Sequence, residues 1–340
     1  MSHDPIGAVH RHLLTRQLAG WAPAALRRSR RATVVQAYDG PDGGTADAAV
    51  RALAGTLDVP RGARLAMVVL AADPDDLAAR LGAAEVGLSA DVAVHLIPGG
   101  VPRLPVALKA AGAAGAPILG YVEVTSGPVP EAEIRAAVDA GRPADVLLAY
   151  RSSAGPMVDP GAVLRSAGLP LVTQVGLVTG GGPAAPAPAA GDAPAPAAGD
   201  APAPAGGGPA APVTGPGAEA LVCYGTTSEK NLATFKDAMW TLPAQTGVRY
   251  RDAAGRLLDV VAPDRAPLGA DLLAELRRSE SATVNDLRRF TLTATAYRVV
   301  DAIDALAGLI SGGLASRDPE HGRLGGEVVI RPVRSGPAPD

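Results

Sequence analysis

Between residues 32 and 150 the chain alternates short apolar runs with amphipathic segments, and that regularity restricts the fold more than any other feature. Strands are predicted at 32–37, 64–71, 92–97, 118–124 and 144–150, with helices at 45–57, 75–81, 101–111 and 131–140 between them. A helix over 10–26, with Leu13, Leu14, Leu18 and Trp21 toward a core, precedes the first strand. Strict alternation implies parallel strands joined by crossover helices. The expected fold is therefore α/β, a Rossmann-like, doubly wound, mostly parallel sheet covered on both faces. A strand at 221–226 and a helix at 231–240 are read as its last elements.

The segment 180–217 interrupts this pattern. It is nearly all Ala, Pro, Gly and Asp, and residues 189–196 recur unchanged as 197–204. Such a segment buries almost nothing and is expected to be an extended, disordered linker. Because a strand and helix of the same type follow it, it reads as an insertion in a late loop of one domain, made of 1–179 and 218–248.

Residues 249–334 carry a different grammar, and 335–340 a disordered tail. A helix is predicted at 268–278, a short one at 283–290 that Thr283 can cap, and a long one at 296–311 stopped by Gly312 and Gly313. A two-stranded tail over 314–332 follows. A short helix, a turn, a longer helix and a hairpin are the parts of a winged helix-turn-helix. Its expected core is Leu272, Leu276, Leu287, Val299, Ile303, Leu306 and Ile310.

Composition narrows the function classes. Of 340 residues, 47% are apolar and only 3% aromatic, so the cores must be built from Ala, Val, Leu and Ile. The abundance of Ala, Gly, Pro and Arg resembles the coding bias of a high-GC bacterial genome. A net charge of −3 gives no general attraction to nucleic acid. Cys223 is the only cysteine, which excludes an intrachain disulfide and a cysteine metal cluster and fits a reducing, cytoplasmic compartment. No signal peptide and no apolar run of membrane-spanning length are read. The five histidines show no metal-ligand spacing.

A leading helix ending in Trp21, the strand and loop 35–44, the strand end 118–126 and the run Lys236-Asp-Ala-Met-Trp240 together resemble the three-Cys-motif partner protein family. That resemblance implies a class I S-adenosylmethionine-dependent methyltransferase-like domain joined to a winged helix. It places cofactor contacts at Asp39, Gly40, Gly43 and Asp73 and a catalytic candidate at Glu123, the acid ending the fourth strand.

The departures from the family are specific. Its first loop reads Asp-Gly-Phe-Ala-Gly-Pro-Gly, whereas this chain has Gln36 at the leading acid and Asp42 at the last glycine. Asp42 adds a negative charge where a ligand needs bare backbone. The second strand ends in Ala71 and Ala72 with no acid to hold a ribose. Each candidate also has an ordinary structural reading. Asp39–Gly44 can be a plain turn, Asp73 a helix cap, and Glu123 a solvated strand end. The run Arg27-Arg28-Ser29-Arg30-Arg31 can hold phosphate or simply finish a helix. Ser152-Ser153 lacks the setting of a catalytic nucleophile. Arg288, Arg289, Arg298, Arg317 and Arg323 are the candidate nucleic-acid or partner contacts, offset by Asp301 and Asp304.

The expectation is a degenerate methyltransferase fold acting as a scaffold or partner protein through a winged-helix docking module, with no cofactor and no metal. The alternatives are an active enzyme using S-adenosylmethionine and a winged-helix protein that binds nucleic acid.

Overall fold

The computed structural model describes residues 4–151, 159–179, 220–260 and 263–333. The repeat segment 180–217, Ser152-Ser153 and the tail 335–340 lie outside them. The body is a nine-stranded sheet. Its parallel strands are β1 (Arg31–Tyr38), β2 (Arg64–Ala71), β3 (Val92–Pro98), β4 (Ile118–Val124) and β5 (Ala144–Arg151), in spatial order β3-β2-β1-β4-β5. β4 is buried along its whole length and β5 along its first six residues, which is why both read as mostly apolar runs, interrupted by Glu123 in β4 and by Asp145 and Arg151 in β5; the edge strand β3 is only partly buried.

Beyond β5 come β6 (Leu171–Thr179) and β7 (Ala220–Thr226), in order β5-β7-β6, with β7 antiparallel to both neighbours. Residues 180–219 therefore connect two strands that lie side by side. The sheet does not end at β7 as the sequence suggests. β8 (Val248–Arg251) pairs antiparallel with β6, and β9 (Leu257–Leu258) pairs with β8. Residues 249–258, expected to open the C-terminal unit, thus belong to the large sheet.

One face of the sheet is covered by α1 (Pro5–Arg28), α2 (Thr45–Thr56), α3 (Asp75–Glu85) and, later in the chain, α7. The other carries α4 (Leu104–Ala110), α5 (Glu131–Ala140) and α6 (Pro160–Ser166). α7 is Glu229–Met239, capped by Ser228, whose hydroxyl accepts from the Asn231 amide at 3.3 Å. α1 begins where Asp4 accepts from the Gly7 amide at 3.0 Å and Pro5 fills the first helical position. Its buried stripe of Val9, Leu13, Leu14, Leu18 and Trp21 follows helical spacing.

The C-terminal part contains α8 (Ala266–Ser279), β10 (Ala282–Thr283), α9 (Val284–Ala294), α10 (Asp301–Ser311), β11 (Ala315–Asp318) and β12 (Val329–Pro332). β12 lies between β10 and β11 in an antiparallel sheet. Thr283 caps α9 through a reciprocal pair of bonds with Asp286. α10 starts at Asp301, not at residue 296 as expected. The reason is tertiary: the Ala296 carbonyl accepts from Trp240 Nε1 at 3.0 Å, and the Thr295 carbonyl accepts from Lys236 Nζ. Asp301 then turns back to accept from the Arg298 amide at 3.1 Å. Within α10, Leu306 is fully buried while Ile303 and Ile310 are half-buried and Val300, just before the helix, is 59% exposed. The expected core at Val299, Ile303 and Ile310 is therefore the rim of the packing, and Ala302, Ala305 and Leu309 complete its centre.

Lys236 ties the two parts together. Its ammonium is buried and donates to the carbonyls of Thr291 at 3.1 Å, Leu292 at 2.5 Å and Thr295, all at the negative end of α9. Burial pulls its pKa down to about 7. Trp240 stacks on Tyr297 at 5.4 Å beside it. The run 236–240 is thus the joint between the large sheet and the C-terminal helices.

Candidate functional site

In a doubly wound sheet the strand order reverses between β1 and β4, and ligands bind in the crevice beyond the carboxyl ends of those strands. Here that crevice is bridged. The Asp39 carboxylate, one residue past β1, accepts from the Thr125 amide at 2.7 Å, the Thr125 hydroxyl at 2.7 Å and the Ser126 amide at 3.2 Å. The Asp39 amide donates to the Glu123 carbonyl at 3.2 Å. A Cβ on Gly40 would stand 2.8 Å from Thr125 Oγ1. The loop after β3 lies across the neighbouring strand ends: the Gly99 amide donates to the Ala71 carbonyl at 3.0 Å, and a Cβ on Gly100 would stand 2.8 Å from the Tyr38 carbonyl. Gly100 is required there both by that approach and by its φ of 63°.

Asp42 does not project a bare charge toward a ligand, contrary to the sequence expectation. It is 6% exposed, accepts from the Ala46 amide at 3.2 Å in the first turn of α2 and pairs with Arg80 of α3. Arg80 also pairs with Asp47 at 2.6 Å. Gly43 has a φ of 58° with open space around it, and its carbonyl accepts from Arg11 at 2.7 Å. Asp73 is exposed two residues beyond β2 and does not cap α3, whose N-cap position is Pro74 with no side-chain bond.

Glu123 is not a solvated strand end. Period-2 alternation turns Leu119, Tyr121 and Glu123 to the α1 face. There Glu123 is 4% exposed, accepts from the Tyr121 hydroxyl at 2.7 Å and lies 3.6 Å from His10 of α1. Both ring nitrogens of His10 are buried without a hydrogen bond. Gln36 and Tyr38 share this face, the Tyr38 hydroxyl donating to Gln36 at 2.7 Å. Burial, with Asp42 and Glu123 nearby, pushes the Tyr38 phenol well above its ordinary value; burial and Glu123 do the same to Tyr121. This polar network lies on the α1 side of the carboxyl ends of β1 and β4, directly behind the Asp39 bridge. Sequence reasoning missed His10, Tyr38 and Tyr121 as its members; the two-residue spacing of Tyr38 from Gln36 and of Tyr121 from Glu123 predicts a shared face, whereas the approach of His10 from α1 leaves no local signal.

The C-terminal arginines divide. Arg288, Arg317 and Arg323 surround a recess of about 480 Å³ with Ile303 and Leu324. Arg288 Nε is buried without a partner, and Arg317 is held by the carbonyls of Pro319 and Gly322 at 2.9 and 2.8 Å. Arg289 pairs instead with Glu229 at 2.9 Å, and Arg298 pairs with Asp301 at 2.9 Å while lying 5.9 Å from the Trp240 ring centroid. α10 itself contains no Lys or Arg. A second recess, of about 660 Å³ between β6, α8 and α9, is lined by charges that pair with one another, Arg256 with Asp252 and Asp271 and Arg278 with Glu275. Among the described residues no three His, Cys, Asp or Glu side chains gather as a metal site, and no helix is long and apolar enough to cross a membrane.

No family model matches this chain, and no curated protein matches it. Solved structures do. The O-methyltransferase TomG from Streptomyces achromogenes, in complex with SAM, is 17% identical at a TM-score of 0.33, over 67% of this chain and 92% of that one. A protein from Legionella pneumophila is 10% identical at a TM-score of 0.37, over 74% of this chain and 97% of that one. The class follows from the chain's own sheet, a mixed α/β fold of the Rossmann-like kind.

Proposed function

We infer that this protein is a divergent relative of the three-Cys-motif partner proteins, a methyltransferase-like domain that acts as a scaffold and carries a winged-helix docking module. The observation that carries this reading is the Asp39 bridge. Its carboxylate is engaged by Thr125 and Ser126 across the switch point, where a cofactor would need those groups free. The donors present do not fit S-adenosylmethionine. No acid ends β2, Gln36 faces the core, and Glu123 lies under α1.

The C-terminal helices and three-stranded sheet support a winged helix. The helix before its wing, α10, lacks the basic face that groove reading requires. Its exposed side has Val300, half-buried Ile303 and, just past the helix, Leu314 at 47% exposure, a surface suited to a protein partner. Calorimetric titration of S-adenosylmethionine into the full chain is the test. No binding heat is expected up to about 1 mM ligand, and a Kd in the low micromolar range, about −8 kcal/mol, overturns the reading.

A further inference from the structure

The opposite edge of the large sheet, where the parallel strands begin, is unlike the rest of the surface. Arg27 and Arg28 end α1, Arg30 and Arg31 lead into β1, Arg61 lies in the turn before β2, and Arg64 starts β2. All six are exposed. Among the described residues, none has a carboxylate within ion-pair distance. The helix dipole accounts for Arg27 and Arg28 at the end of α1. It does not account for Arg31 and Arg64, which start strands and stand directly opposite each other in the β1–β2 register. Like charges in that relation are destabilising.

These two arginines also line a recess of about 490 Å³, together with Thr33, His95 and Asp91. Arg31 reaches only the Gly112 carbonyl, at 3.4 Å. The recess and the six guanidinium groups make a local positive field on a chain whose net charge is −3. Asp91 is the one acid lining the recess; it is exposed, and its carboxylate makes no ion pair with either arginine among the described residues.

We propose that the amino edge of the sheet, centred on Arg31 and Arg64, binds the phosphate backbone of a nucleic acid. Paired, unneutralised guanidinium groups beside a concave floor match successive phosphates, each taken by a planar fork of donors. Readout of bases is not part of the site, because arginines on strand starts and turns present no element to a groove. Binding here is independent of the docking role of the C-terminal module and uses a different surface.

The test is fluorescence anisotropy of the full chain with labelled single-stranded RNA and duplex DNA, across about 50 to 200 mM salt. Binding should weaken steeply with salt. The double variant Arg31→Gln/Arg64→Gln should weaken it and flatten the log–log salt slope by about two, one per lost phosphate contact. Both side chains are exposed, and circular dichroism checks that the variant is folded. A parallel variant, Arg288→Gln/Arg323→Gln, should bind as the parent does. Absence of binding to either nucleic acid at the lowest salt overturns the proposal. So does a loss that follows the Arg288/Arg323 variant instead. Capture by phosphatidylserine vesicles with no nucleic-acid binding also overturns it.

Discussion

At the carboxyl edge of the large sheet the polar side chains face inward. Asp39 is held by Thr125 and Ser126, Asp42 and Asp47 share Arg80, and Glu123 takes the Tyr121 hydroxyl. At the amino edge, on the same strands, Arg31 and Arg64 stand opposite each other in register, and among the described residues neither has a carboxylate within ion-pair distance. A Rossmann-like sheet usually presents its function at the first edge. Here the first edge has used its donors and acceptors to close itself, and the second has left its charges unmatched. The comparison separates fold from site: inheriting the scaffold does not inherit the place where chemistry happens.

The largest way to break the comparison is to open the closed edge. Arg80→Ala leaves Asp42, 6% exposed, without a guanidinium partner, while Asp47, 7% exposed, keeps only its pair with Arg51. Loss of one partner of a buried pair costs about 3–5 kcal/mol. Arg80 is itself 38% exposed, so solvent screening reduces the expected loss to about 3 kcal/mol in urea unfolding. A loss below about 0.5 kcal/mol would show that the two carboxylates reach water and that this edge is open after all.

The amino edge has one acid that is internally satisfied, and it sharpens the contrast through pH. Asp145, near the start of β5, is buried and accepts from Thr226 and from Asn231, the latter at 2.8 Å. Burial raises its pKa from 3.8 to about 6. Between those values the folded state keeps a proton that the unfolded state has released. Its contribution is therefore present below pH 3.8 and is lost as pH rises through about 6. The expected loss is about 2–3 kcal/mol across that window. Asp145→Asn should lack this slope, so the stability of the parent relative to the variant should fall as pH rises through about 6, and equal slopes would place the carboxylate in water.

How much of this was legible in the sequence depends on the range of the interaction involved. The parallel core was readable because strands buried on both faces become mostly apolar runs, as in β4 and β5, where Glu123 and Asp145 are the buried exceptions. Thr283 was readable as a cap because its partner, Asp286, is three residues away. β6 carries Val172, Thr173, Val175, Val178 and Thr179, a strand composition, but its pairing with β7 spans 180–219 and leaves no local trace. The start of α10 was set by Lys236 and Trp240, far upstream in the chain. The site follows the same rule. Asp39 was recognisable as a loop acid, but its partner loop is set by the β1–β4 pairing. Asp42 looked like a charge aimed at a ligand until α3 brought Arg80 to it. The run Arg27–Arg31 was visible, whereas its junction with Arg64 depends on strand register.

A smaller effect is expected at the Asp39 bridge. Asp39→Ala removes three hydrogen bonds and leaves the Thr125 and Ser126 amides to water. Asp39 is half-buried, so the cost should be about 1–2 kcal/mol in urea unfolding, without a change in the slope of the transition. Asp39→Asn should recover part of it, because an amide oxygen can still accept. If Asp39→Ala costs nothing and confers S-adenosylmethionine binding on the chain, the bridge is only a latch over a working site.

The smallest effect on stability should come from the residues proposed to matter most for binding. Arg31 and Arg64 make no ion pair among the described residues and face a like charge in register. Replacing both by glutamine removes that repulsion and loses only the 3.4 Å contact of Arg31 with the Gly112 carbonyl. The double variant should lie within about 0.5 kcal/mol of the parent and on the stable side. The magnitude is small because both side chains are exposed and screened, so the charge–charge term is a fraction of its buried value. A destabilisation above about 1 kcal/mol would mean that the two guanidinium groups hold the strand starts together, as Arg80 holds Asp42 and Asp47 at the other edge. The two edges would then differ only in the sign of their charge, and the amino edge would no longer stand out as a surface left open for a ligand.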